Sequence, residues 1–146
     1  MKYDKSLEWY TGEAYLTLFD TKTNVYIQDG AYMDYAEECI RHLNNLDFRL
    51  REHIREKLFK YYEFVRENYD DIEFVPFEEI MEYIKPLNVS IEPPEAEVIA
   101  YSIECGCNWE IDMGIEIIIK DNELLYVGEF FGIGPWADDE VYECDY

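Results

Sequence analysis

The sequence is poor in positive charge. Twelve lysines and arginines stand against 34 aspartates and glutamates in 146 residues, a net charge of −22, with a pI near 4.2. Such a field repels nucleic acid and anionic membranes, so direct nucleic-acid binding is disfavoured. It attracts a basic protein and speeds its arrival. Acidity also maintains solubility without serving any partner. Histidine is scarce as well: His42 and His53 sit in helical segments far from Cys105 and Cys107. The cysteines, at 39, 105, 107 and 144, lack the spacing of a zinc motif. Cys105 and Cys107 lie in an apolar strand pattern and read as reduced, buried thiols. No Asp-x-Asp-x-Asp-Gly calcium loop is present. The apolar runs, such as Ile117-Ile118-Ile119, fall far short of the roughly 20 residues a membrane span needs. The opening MKYDKSLEWY lacks the apolar region of a signal peptide, so a cytoplasmic location is expected. Internal repeats and low-complexity tracts are missing.

What is present suits a single domain over residues 1–146 with an aromatic core, built from 14 Tyr, 8 Phe and 3 Trp. Residues 13–19 alternate, with Ala14, Leu16 and Leu18 on one face. Asp20 to Asn24 supplies turn chemistry and Val25-Tyr26-Ile27 resumes the extended pattern, which predicts an N-terminal β-hairpin ended by Asp29-Gly30. From about Tyr32 to Leu46, Ala36, Cys39, Ile40 and Leu43 recur at helical spacing. Asn44-Asn45 breaks that helix, and Asp47 caps the next. There Leu50, Ile54, Leu58, Tyr61 and Val65 form one stripe with Tyr62 beside it, a core-facing surface. Residues 41–66 hold seven bases against four acids, a local +3 that leaves −25 for the remainder. Glu52–Arg55, Glu56–Lys60 and Glu63–Arg66 fall at helical-neighbour spacing.

Pro76 is placed to start a short helix reaching Ile84, stopped by Lys85-Pro86. Asn88 to Ile91 reads as a short strand, and Pro93-Pro94 as a rigid connector. Glu97 to Gly128 then reads as three strands in succession. Tyr101, Ile103 and Cys105 share a face of the first; Met113, Ile115, Ile117 and Ile119 share a face of the second. Lys120 to Glu123 is a turn, and Leu124 to Val127 returns. The fold class is therefore α+β: an N-terminal β-hairpin, two to three helices, then an antiparallel sheet packed against them. The acidic end at about 137–146 is expected to fray.

Between the first two of those strands, Gly106 allows a bulge and Gly114 a close approach. Trp109 would anchor core or interface. Glu110, Asp112 and Glu116 stand at even steps, so they share a strand face and could converge as an acid/base set. No His, Ser or Lys is grouped with them, and among 34 acids such spacing arises by coincidence.

The run Cys107-x-Trp109-Glu110-x-Asp112-x-Gly114 before a β-hairpin resembles an uncharacterised bacterial domain family with the signature Cys-x-Trp-Asp-x-Glu-His-Gly. The likeness reaches back to Tyr61-Tyr62 and to Glu79-Ile80 through Ile91, about residues 13–130 in all. The resemblance implies a domain of unknown function, some of whose members are similar in gene setting and size to immunity proteins of toxin systems. Met113 stands where the family has His, so any catalytic or metal role of that His does not carry over. The expected function is a non-enzymatic, acidic binding protein, an immunity protein that neutralises a basic toxin by occlusion. Its expected contact residues are Trp109, Glu110, Asp112 and Trp136. No catalytic residue, cofactor or metal is assigned. Two alternatives stand beside it: a small hydrolase or metal-dependent enzyme using Glu110, Asp112 and Glu116, and an acidic DNA mimic or regulatory adaptor.

Overall fold

Seven strands form one sheet, and their order across it is their order in the chain. The structure is a computed structural model that describes residues 2–4, 9–69, 71–144 and 146; for 2–4 and 110–113 it describes the backbone path alone. The strands are β1 (Lys2–Asp4), β2 (Trp9–Leu16), β3 (Thr21–Ile27), β4 (Ile84–Ile91), β5 (Ala100–Cys107), β6 (Glu110–Lys120) and β7 (Glu123–Glu129). Between β3 and β4 run α1 (Met33–Leu43), α2 (Phe48–Asn68) and a 3-10 helix, Phe77–Tyr83. The α+β architecture, with an N-terminal hairpin and helices over a mostly antiparallel sheet, is thus present.

Three features differ from expectation. The first hairpin turns at 17–20 rather than 20–24: Phe19 N–H donates to Leu16 O and Asp20 N–H to Thr17 O. Asp20 takes φ 51°, which Asp tolerates better than most residues. The Asn44 side chain, just past α1, also holds this turn, accepting from Thr17 N–H at 2.9 Å and donating to Tyr15 O at 2.8 Å. Second, the short helix ends at Tyr83, just before the expected stop, but β4 then begins at Ile84 rather than Asn88 and runs through Pro86. Pro86 is tolerated because the register with β5 slips between Pro86 and Asn88, and β3 borders β4 only from Asn88 to Ile91. Third, β3 and β4 pair in parallel, Val25 opposite Val89, which joins hairpin and meander into one sheet. A parallel pair requires a long crossover, and the helices supply it.

Helix α2 forms as its sequence dictates. Asp47 Oδ1 accepts the Leu50 N–H at 2.7 Å, and Leu50, Ile54, Leu58, Tyr61, Tyr62 and Val65 are all buried. They meet Val25 and Ile27 of β3, Tyr101, Ile103 and Cys105 of β5, and Ile115, Ile117 and Ile119 of β6 in one core. The Tyr62 hydroxyl escapes the cost of burial by donating to Glu73 O and accepting from Val75 N–H. The opposite face of the sheet carries a smaller cluster, Ile118, Tyr126 and Tyr142, under residues that follow β7. Within the acidic C-terminal end, Tyr142 donates to Gly134 O at 2.6 Å, and Tyr146 packs on Tyr61 and Phe64 of α2.

Candidate functional site

Two of the four expected contact residues, Trp109 and Trp136, have described side chains, and they stand in different surroundings. Trp109 sits in the tight turn between β5 and β6, 6% exposed, its ring edge-on to Tyr62 at 5.0 Å. It belongs to the helix-side core. Trp136 is half-buried and lines a cavity with Glu92, Pro93 and Ile133. Lys120 Nζ lies 5.1 Å above its ring. The side chains of Glu110 and Asp112 lie outside the described residues.

Glu116 has a different occupation from acid/base chemistry. It is 1% exposed. Its Oε1 accepts the N–H groups of Phe131, Gly132 and Ile133 at 3.1–3.2 Å, and its Oε2 accepts Gly134 N–H at 3.1 Å. Four successive N–H groups converge because Gly132 and Gly134 take φ of +71° and +73°, alternating with ordinary backbone. Such a nest binds anions, and here the anion is the protein's own carboxylate. Glu116 therefore clasps the segment after β7 onto the sheet. Its cross-strand neighbour Glu104 is also engaged, accepting from Asn88 Nδ2 at 2.7 Å. Glu92 lies close by, and burial, then the charges of Glu95 and Glu116, raise its pKa.

A cleft of about 260 Å³ opens along the outer edge of β7, between α2 and the C-terminal segment. Tyr61, Phe64, Tyr126 and Tyr146 form its walls. The Tyr146 ring stands 5.5 Å from Tyr61 and 5.2 Å from Phe64. Its hydroxyl donates to Val127 O, and that of Tyr126 to Glu129 O, which fixes both rings on the strand edge. At the rim, Phe131 is 65% exposed and Tyr69 61%. Two carboxylates, Glu129 and Glu143, also line the cleft. Burial raises the pKa of Tyr126 and Tyr146, and the Glu129 charge adds to both effects. Sequence reasoning missed this site, since its residues come from α2, β7 and the tail with no spacing to link them.

A family model for a domain of unknown function, DUF6985, matches residues 1–134. The chain belongs to the DUF6985 family. No curated protein and no solved structure matches it. Within this DUF6985 chain, the nest glycines lie inside the matched region, whereas Val141, Glu143 and Tyr146 of the cleft lie beyond it.

Another polar constellation among the described residues of this DUF6985 chain joins elements of the fold. His42 Nδ1 lies 2.9 Å from the Tyr101 hydroxyl and Nε2 3.1 Å from Asn122 Oδ1, while Asn122 Nδ2 reaches Asp47 Oδ2 at 3.5 Å. This chain ties α1, β5, the β6–β7 turn and the start of α2 together. Asp121 and Asn122 form that turn at φ 52° and 61°, the paired positive values a two-residue hairpin favours. All four cysteines are free thiols. Burial pushes the Cys39 thiol up to about 11 and that of Cys105 higher still. Among the described residues no group of three or more His, Cys, Asp or Glu is placed to hold a metal ion, and no helix is long and apolar enough to cross a membrane.

Proposed function

We propose that this DUF6985 chain is a non-enzymatic binding protein whose acidic surface covers a basic protein partner, in the manner of an immunity protein that occludes a toxin. The supporting observation is the lack of internal neutralisation. Among the described residues one ion pair closes within 4.0 Å, Arg55 to Glu52 at 3.7 Å, although the chain carries 34 acids. Of the bases on α2 that stand near acids in sequence, Arg66 stacks over Phe74 at 5.1 Å instead. A surface of uncompensated carboxylates gains little stability for its owner, and a complementary surface gains fast association from it. Among the described residues, the buried Glu116 and its half-buried neighbour Glu104 are already held by hydrogen bonds, so the reading calls on neither of them.

The test is co-expression with the product of the adjacent gene, followed by pull-down and growth rescue. The expected result is capture of a basic protein and relief of its toxicity. Failure of both capture and rescue would overturn the pairing with that neighbour.

A further inference from the structure

The β7-edge cleft carries a recognition chemistry of its own. Its volume of about 260 Å³ lies below the roughly 300–1,000 Å³ usual for drug-sized ligands and suits a single side chain. Its walls are aromatic, and aromatic faces attract cations. Exposed rings at the rim, Phe131 and Tyr69, with Val141 at 49% exposure beside them, form the kind of apolar patch that marks an interaction site. Glu129 and Glu143 place negative charge at the same opening, and among the described residues neither is in an ion pair. Lys57, which does not line the cleft, donates to Tyr146 O at 3.1 Å.

We propose that this cleft receives an arginine side chain presented by the protein partner. The proposal rests on the binding reading above and names the group that reading would place at this site. Arginine fits better than a quaternary ammonium because the guanidinium is planar, stacks on rings such as Phe131, and forms paired hydrogen bonds to a carboxylate. Lysine offers a compact, strongly hydrated charge that the flat walls match less well. The occupant is argued from charge: a chain at −22 with two carboxylates among aromatic rings selects a cation that can also stack.

The experiment titrates the intact chain with N-acetyl-arginine N-methylamide and follows backbone amide shifts. The citrulline analogue, equal in shape and uncharged, and the lysine analogue serve as comparisons. The expected result is saturable binding of the arginine probe, roughly tenfold tighter than the citrulline probe and several-fold tighter than the lysine probe. Shifts should concentrate at Phe131, Val141 and Glu143. Phe131→Ala and Glu143→Gln, both at exposed positions that leave the fold intact, should each weaken binding about threefold or more. Equal affinity for arginine and citrulline, lysine binding as tight as arginine, shifts centred elsewhere, or unchanged affinity in both variants overturns the proposal. The two ideas fail separately: a basic partner captured while the cleft stays silent removes the arginine site alone. Probe binding with no partner captured removes the pairing with the neighbour alone.

Discussion

Replacing Glu116 with Gln keeps the side chain's shape and removes its charge, which makes it the sharpest probe of how the outer face of the sheet is closed. In the parent chain three N–H groups converge on Oε1 and a fourth on Oε2. A Gln oxygen at the first position still accepts three bonds, now neutral ones, each weaker by about 1 kcal/mol. Its NH₂ faces the Gly134 N–H, donor against donor, which forfeits about 1.5–3 kcal/mol. Against these losses stands the desolvation of a carboxylate that is 1% exposed, several kcal/mol of cost that the amide avoids in part. The balance is a loss of about 2–4 kcal/mol, out of the roughly 5–15 kcal/mol that holds a domain together. In a chain of this length that lowers Tm by roughly 5–15 °C. Urea unfolding monitored by tryptophan fluorescence gives the free energy, and amide exchange gives the location. Protection should fall first at Phe131 to Gly134. Stability within about 0.5 kcal/mol of the parent, with unchanged exchange at those four amides, would refute the clasp.

Trp109→Ala should cost about 3–5 kcal/mol, since the ring is core and rests on Tyr62; a loss under about 1 kcal/mol in denaturant titration would place it outside the core. Glu92→Gln should raise Tm at neutral pH. The Glu92 pKa is raised in the fold, so its penalty is full above that pKa and vanishes below the ordinary carboxylate value. The gain should therefore disappear in acid, and a gain that persists there contradicts the assignment. Thiol alkylation of the native chain, read by mass spectrometry, should modify Cys107 and Cys144 before Cys39 and Cys105. The latter two are fully buried, and their raised pKa values leave little thiolate at neutral pH. Early labelling of Cys39 would count against the packing of α1.

Much of the fold is legible in the sequence where the signal is local. The stripe from Leu50 to Val65 and the Asp47 cap declare α2 because both are read within a few residues. The β5–β7 meander declares itself through alternation and the Asp121-Asn122 turn. The parallel pairing of β3 with β4 leaves no local trace, since Val25 and Val89 meet only after both helices are in place. The same holds for Glu116, which looks like one acid among 34 until the glycines at 132 and 134 turn their neighbours' N–H groups toward it. Trp109 was legible as an anchor, and the sequence left open whether it faced core or partner; the bulge near Gly106 and the contact with Tyr62 decide for the core. The cleft was invisible because Tyr61, Tyr126 and Tyr146 are brought together only by α2 packing on β7.

The central claim, that the acidic surface exists to meet a basic protein, is tested most directly by the association rate of the captured partner as a function of ionic strength. The account predicts a rate that falls roughly tenfold or more from low to high salt, with dissociation changing far less. An association rate independent of salt would contradict it.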